Sequence, residues 1–177
     1  MIPPIRLKIS ALKSVSSEEW IRHPVADVSA LEIFPKENTV QYFANRFFPS
    51  ELIFPKLEAF DRDIQLTVFG FPSGLGSGGK FSPLTFRTYL ASGVIALPRF
   101  DTQTPCNFYL LENPSMGGYS GGPVIDISIV MQNGTAMTGE GTKLYGIIHG
   151  TINDETGGKL SAITPSAYIL DLLEQIK

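Results

Sequence analysis

Apolar and polar residues alternate along much of this chain with the period of two that marks half-buried strands. Ile5-Arg6-Leu7-Lys8-Ile9 opens a first such stretch, Ile5 to Ser14, and the second half of Trp20–Ile33 alternates again. Further strand-like runs lie at Ile64–Phe71, Leu84–Leu90, Gly93–Leu97, Asn107–Leu111, Pro123–Met131 and Lys143–His149. Turn signals recur about every ten residues between them, a spacing that suits a sandwich or barrel. The segment Pro35–Pro55 is aromatic and broken by prolines, and reads as a connection holding one helical turn. A single firm helix is predicted at the end of the chain. Thr164 would cap it and Pro165 would sit in its first turn, with Tyr168, Ile169, Leu172, Leu173 and Ile176 on one apolar face.

Composition supports a turn-rich β protein. Hydrophobic residues make up 43% and charged residues 18% of 177 residues, with 13 prolines and 17 glycines, which excludes a disordered polyelectrolyte. The net charge is −3 and the basic residues are scattered, so no nucleic-acid footprint is expected. Cys106 is the one cysteine, which excludes an intrachain disulfide and a thiolate metal site and slightly favours the cytoplasm. Met1-Ile2-Pro3-Pro4-Ile5-Arg6 lacks the apolar core of a signal peptide, and no run reaches membrane-spanning length. No pair of histidines or carboxylates falls at ligand spacing, so no metal is expected; no other cofactor and no membrane partner is expected either.

The stretch that carries chemistry is Gly117-Gly118-Tyr119-Ser120-Gly121-Gly122-Pro123-Val124. A serine hydroxyl is a poor nucleophile unless it is exposed, held still and paired with a base. Glycines on both sides let the backbone turn sharply and aim N–H groups at one point. Those of Gly118 and Ser120 would then bind a developing oxyanion.

Gly118-Tyr119-Ser120-Gly121-Gly122-Pro123 resembles the G-x-S-G-G-P signature of the trypsin-like, chymotrypsin-fold serine proteases. Other segments resemble the same family in the same order. Ala26-Asp27-Val28-Ser29-Ala30-Leu31 is similar to the strand whose aspartate orients the catalytic histidine, and Gly70-Phe71-Pro72 to the opening of the second barrel in bacterial members. Leu144 to Gly150 resembles the strand that walls the substrate cleft, and Ala162-Ile163-Thr164-Pro165 the entry to the last helix. The resemblance implies an all-β double barrel with a C-terminal helix. The expected division is a partial first barrel and connection over 1–58 and a second barrel over 59–177. It implies a serine endopeptidase working through an acyl-enzyme on a peptide or protein substrate. Ser120 is the implied nucleophile, Gly118 and Ser120 the oxyanion donors, and Asp27 the orienting carboxylate. Pro114, Ser115, His149 and Gly150 would line the substrate site. With no acidic residue at Pro114 or Ser115, a small or apolar residue is expected before the scissile bond.

The family's catalytic histidine, however, stands several dozen residues before the aspartate, and nothing here matches it. His23 lies only four positions before Asp27, where the family has a structural Trp…His-Pro feature; His149 lies on the cleft-wall strand, where it would pack at the cleft edge or, as the alternative, approach Ser120 or Asp27 as a replacement base. The expectation is an incomplete first barrel whose histidine-bearing part lies upstream of Met1, an inactive isolated chain, and self-association through the exposed apolar face. Tyr119 replaces the aspartate of the digestive members, which removes their zymogen latch. The alternative is a pseudoprotease acting as a binding or regulatory module. An α/β-hydrolase elbow needs a helix after the serine, whereas Val124–Val130 is strand text. The glycine loop Gly74–Lys80 mimics a phosphate loop, but Phe81 and Pro83 oppose that reading. Asn133-Gly134 reads as a turn.

Overall fold

A computed structural model of the chain describes residues 20–35, 37–41, 43, 47–78, 82–99, 102–127, 129–132, 135–138, 141–153 and 155–176. The predicted strand at Ile5–Ser14, the Asn133-Gly134 turn and the Lys80-Phe81 end of the glycine loop lie outside these residues. In chain order the strands are β1 Ile21–Arg22, β2 Ser29–Ala30, β3 Leu66–Gly70, β4 Leu84–Thr88, β5 Ile95–Pro98 and β6 Pro105–Leu111. There follow β7 Pro123–Asp126, β8 Ile129–Gln132, β9 Thr135–Thr138, β10 Lys143–Asn153 and β11 Lys159–Pro165. A short helix α1 spans Glu37–Val40, and α2 spans Ala167–Ile176. The chain is therefore mostly β with a C-terminal helix, as the alternation predicts.

Seven strands make one antiparallel sheet in the order β4-β3-β7-β10-β11-β6-β5, with β1–β2 and β8–β9 as separate hairpins. The large sheet curls. Past Thr88 the chain leaves β4 and reaches the opposite side, where Leu90 bridges Leu111. The Ala91 N–H donates to the Leu110 carbonyl at 2.8 Å and the Glu112 N–H to that of Tyr89 at 3.1 Å. One bridge and its flanking bonds thus join the continuation of β4 to β6; among the described residues no continuous ladder closes the sheet. Among the described residues before 58, pairing is limited to the β1–β2 hairpin and a bridge from Ile53 to Leu144.

The curl wraps a core of Leu66, Val68, Leu90, Tyr109, Leu111, Val124, Ile148 and Ile163, all nearly without solvent contact. Each such side chain contributes about 1.5–3 kcal/mol by leaving water. A strap over residues 53–60 seals one end of the core. Phe60 stacks on Tyr145 with ring centroids 4.1 Å apart. The Tyr109 hydroxyl donates to the Glu58 carbonyl at 2.8 Å and the Ser166 hydroxyl to that of Phe54 at 2.8 Å.

Helix α2 begins later than its sequence signals suggest. Thr164 and Pro165 belong to β11, where Pro165 pairs with Gly146. Proline lacks only a donor and is tolerated at the end of such a ladder. The first helical bond runs from the Ile169 N–H to the Ser166 carbonyl at 2.9 Å. Tyr168 and Leu172, both expected on the apolar face, are buried together with Ala167.

Candidate active site

The serine loop joins β6 to β7 and is clamped by close backbone packing. Gly118 has φ +105° and lies so near Phe71 that an added Cβ would meet the Phe71 carbonyl oxygen at 2.4 Å. A Cβ on Gly122 would meet the Phe69 oxygen at 2.0 Å. Gly121 takes φ +78° in open space, so its glycine serves conformation alone. Two bonds then fix the loop to the end of β3: Phe71 N–H to Gly118 O at 2.9 Å and Ser73 N–H to Gly117 O at 3.3 Å. Two more fix it to β10: Gly121 N–H to Ile148 O at 2.7 Å and Ile148 N–H to Gly122 O at 2.9 Å.

Tyr119 anchors this turn. Its ring is buried, meets the Phe86 ring edge-on with centroids 5.0 Å apart, and fills the space left by Gly70. Tyr119 is thus a core side chain. Pinned on both sides, Ser120 is exposed. Neither its hydroxyl nor the N–H groups of Gly118 and Ser120 has a hydrogen-bond partner among the described residues. Free donors on a rigid loop are what a transient negative charge requires.

Asp27 sits in the turn between β1 and β2, and His23 docks that hairpin. The His23 Nδ1 accepts the Val25 N–H at 3.3 Å, so its proton is on Nε2, which faces Asp171 of α2 at 3.4 Å. The His23 ring also packs on Tyr168, centroids 4.8 Å apart. With the hairpin held this way, Thr164 of β11 donates to the Asp27 carbonyl at 3.4 Å. The Asp27 carboxylate then reaches two cations or potential cations. Oδ1 lies 2.7 Å from Arg99 Nη2, and Oδ2 lies 2.6 Å from His149 Nδ1.

His149 owes its aim to an irregularity in β10. Ile148 pairs with Ile163 and Gly150 with Ala162, leaving His149 as the extra residue of a β-bulge. Bulges bend a strand and re-aim a side chain. Because a carboxylate only accepts, the Nδ1 of His149 carries the proton donated to Asp27, and Nε2 has no partner among the described residues. The ring packs on Phe108 with centroids 4.7 Å apart. It lines a cavity of about 600 Å³ with Asp27, Arg99, Phe108 and Gly150.

The expected residues are therefore brought together in part. Asp27, expected to orient an imidazole supplied from outside the chain, holds His149 of this chain. Ser120 lines a different cavity, and among the described residues no hydrogen bond joins it to His149. Ser115 is buried, and its hydroxyl donates to Thr151 Oγ1 at 3.1 Å, since the one proton of Thr151 goes to the Ser115 carbonyl at 2.7 Å. That contact occupies the ground expected for a specificity pocket, while Pro114 is exposed. Arg99 and Thr151 carry no sequence signal for these places; Arg99 merely follows Leu97-Pro98 at the end of β5. No cluster of three potential metal ligands exists among the described residues. Among them, too, no helix is long and apolar enough to cross a membrane.

Comparison with protein-family models, with curated proteins and with solved structures returns no match.

Proposed function

We propose that this chain carries the nucleophile, the oxyanion donors and the orienting carboxylate of a trypsin-like serine endopeptidase. The observation that carries the reading is the exposed Ser120 hydroxyl between the two unpartnered N–H groups of Gly118 and Ser120. Ser120 Oγ adds to a peptide carbonyl, the two N–H groups hold the resulting oxyanion, and collapse expels the amine to leave an acyl-enzyme. Water then releases the acid. The curled sheet, tied by Leu90 to Leu111, supports the finer reading of a second barrel. The proton of Ser120 still needs an acceptor. His149 has the right polarity, Nδ1 on a carboxylate and Nε2 free, but it opens on the Arg99 cavity and not on that of Ser120. Turnover by the isolated chain is therefore slow, since a triad stripped of its base retains only binding and oxyanion stabilisation.

The test is fluorophosphonate labelling read by intact mass, with and without added imidazole as a surrogate base. One adduct on Ser120, accelerated by imidazole and lost in Ser120→Ala, is the expected result. No adduct even with imidazole overturns the nucleophile. A second reading, a non-catalytic binding module, is favoured by one feature: both Asp27 carboxylate oxygens are already engaged, by Arg99 and His149. It predicts that failure to label.

A further inference from the structure

We infer that the cavity beside Ser120 seats a large apolar side chain of the substrate, next to the bond that Ser120 attacks. This rests on the reading of Ser120 as a nucleophile. The cavity is an open depression of about 510 Å³, within the range of small-ligand sites. Its walls are Phe69, Phe71, Pro83, Pro123 and Ile125 together with glycines, and among the described residues Ser120 supplies the one polar side chain. Each of those five walls is half-buried, so all are open to an incoming group.

The placement of these walls follows from the clamp on the serine loop. Along β3 and just past it, side chains alternate between faces. Gly70 turns toward Tyr119 and the core, and Phe69 and Phe71 turn the other way. On β7, Val124 is buried while Pro123 and Ile125 face outward beside them. The contacts that hold Gly118 and Gly122 against the backbone of Phe71 and Phe69 therefore also set an apolar floor at the foot of Ser120.

The occupant is a side chain rather than a separate small molecule, because the cavity is continuous with groups that recognise a carbonyl. The Gly118 and Ser120 N–H groups and the Ser120 hydroxyl border it, and all are free among the described residues. A peptide whose carbonyl enters the N–H pair brings a neighbouring side chain over Phe71 and Ile125. No charged side chain lines the cavity among the described residues, so an acidic or basic group placed there would lose water without gaining a partner.

The experiment is an amide-resolved NMR titration of the isotope-labelled protein with acetyl-Ala-Phe-Ala-amide and with acetyl-Ala-Asp-Ala-amide. The phenylalanyl peptide is expected to shift the Gly118, Ser120, Gly121 and Phe71 amides, and to bind about tenfold more tightly than the aspartyl peptide. Ile125→Asp and, as a second variant outside the strands, Pro83→Asp should abolish that preference, with folding checked by melting. Equal affinity for the two peptides, shifts confined to other amides, or preference surviving both wall variants overturns the inference. Fluorophosphonate labelling of Ser120 reports separately on the nucleophile. Preference without labelling keeps the pocket and rejects the nucleophile, and labelling without preference does the reverse.

Discussion

The Nδ1 of His149 lies 2.6 Å from the Oδ2 of Asp27, although the two residues are 122 positions apart. The contact joins a hairpin turn near the start of the described chain to a bulge in its longest strand. Arg99 closes the arrangement from β5, so one carboxylate ties three distant segments. Replacing Asp27 by asparagine keeps the shape and removes the charge. Asp27→Asn should lower stability by about 1–2 kcal/mol, the low end for charge-assisted bonds because the group is partly exposed. Urea unfolding measures this. The Nδ1 proton of His149 should also move upfield in the NMR spectrum of the variant. An unchanged proton shift would mean that the pair does not form in solution.

The glycines of the serine loop make a graded series. Gly122→Ala places a methyl 2.0 Å from a carbonyl oxygen, and Gly118→Ala combines a 2.4 Å contact with φ +105°. In both cases the obstacle is backbone, which cannot rotate away. Losses of about 2–4 kcal/mol are expected for each. Gly121→Ala meets nothing within 4 Å and suffers only its φ of +78°, which costs about 1 kcal/mol. Melting curves of the three variants should fall in that order, with Gly121→Ala mildest. A Gly121→Ala variant as damaged as Gly122→Ala would show that the loop is packed differently.

This series also explains which parts of the molecule could be read from the sequence. A sharp, crowded turn demands glycine at fixed places, so the serine loop announces itself in six consecutive residues. Most strands are equally visible because one face is wet. Strand β11 has no linear signature, and its end reads as the start of the last helix, for it is buried along nearly its whole length and its Ser161 and Thr164 look polar in a linear pattern. Both hydroxyls are satisfied by distant carbonyls, those of Asn113 and Asp27. The sequence offers the Asp27–His149 pair only as the less favoured alternative, for a related reason. Each residue was visible singly, but the bulge that turns His149 toward Asp27 is a matter of register between β10 and β11. Nothing local in Ile147-Ile148-His149-Gly150 specifies it.

Apolar exposure in the first part of the described chain leads to a prediction about association. Trp20, Val25, Phe34, Val40, Phe47 and Phe48 are all exposed, Phe47 most of all at 73%. Exposed apolar side chains drive contacts between molecules where they gather into a patch. Sedimentation should show a mass that rises with concentration, and Phe47→Ser should weaken the effect while changing stability by no more than about 0.5 kcal/mol. A chain that stays monomeric at high concentration contradicts this.

Alkaline pH should loosen the strap over residues 53–60 through Tyr109. Its ring is buried, and its hydroxyl donates to the Glu58 carbonyl. Burial pushes its pKa from 10.0 up to about 12. Burial moves Tyr145, which stacks on the same Phe60, in the same direction, with the charges of Asp126 and Asp61 adding to the effect. In the unfolded chain the phenol ionises near its ordinary value, so raising the pH favours unfolding. The contribution is therefore complete below pH 10 and disappears as the pH climbs through about 12. For Tyr109 it amounts to about 2–3 kcal/mol. Urea midpoints at about pH 8 and about pH 11.5 should differ strongly for the native chain. Tyr109→Phe should begin about 1 kcal/mol less stable at the lower pH, having lost the bond to Glu58, and then fall less as the pH is raised. If the variant keeps the whole alkaline loss, the Tyr109 hydroxyl is not what senses the base.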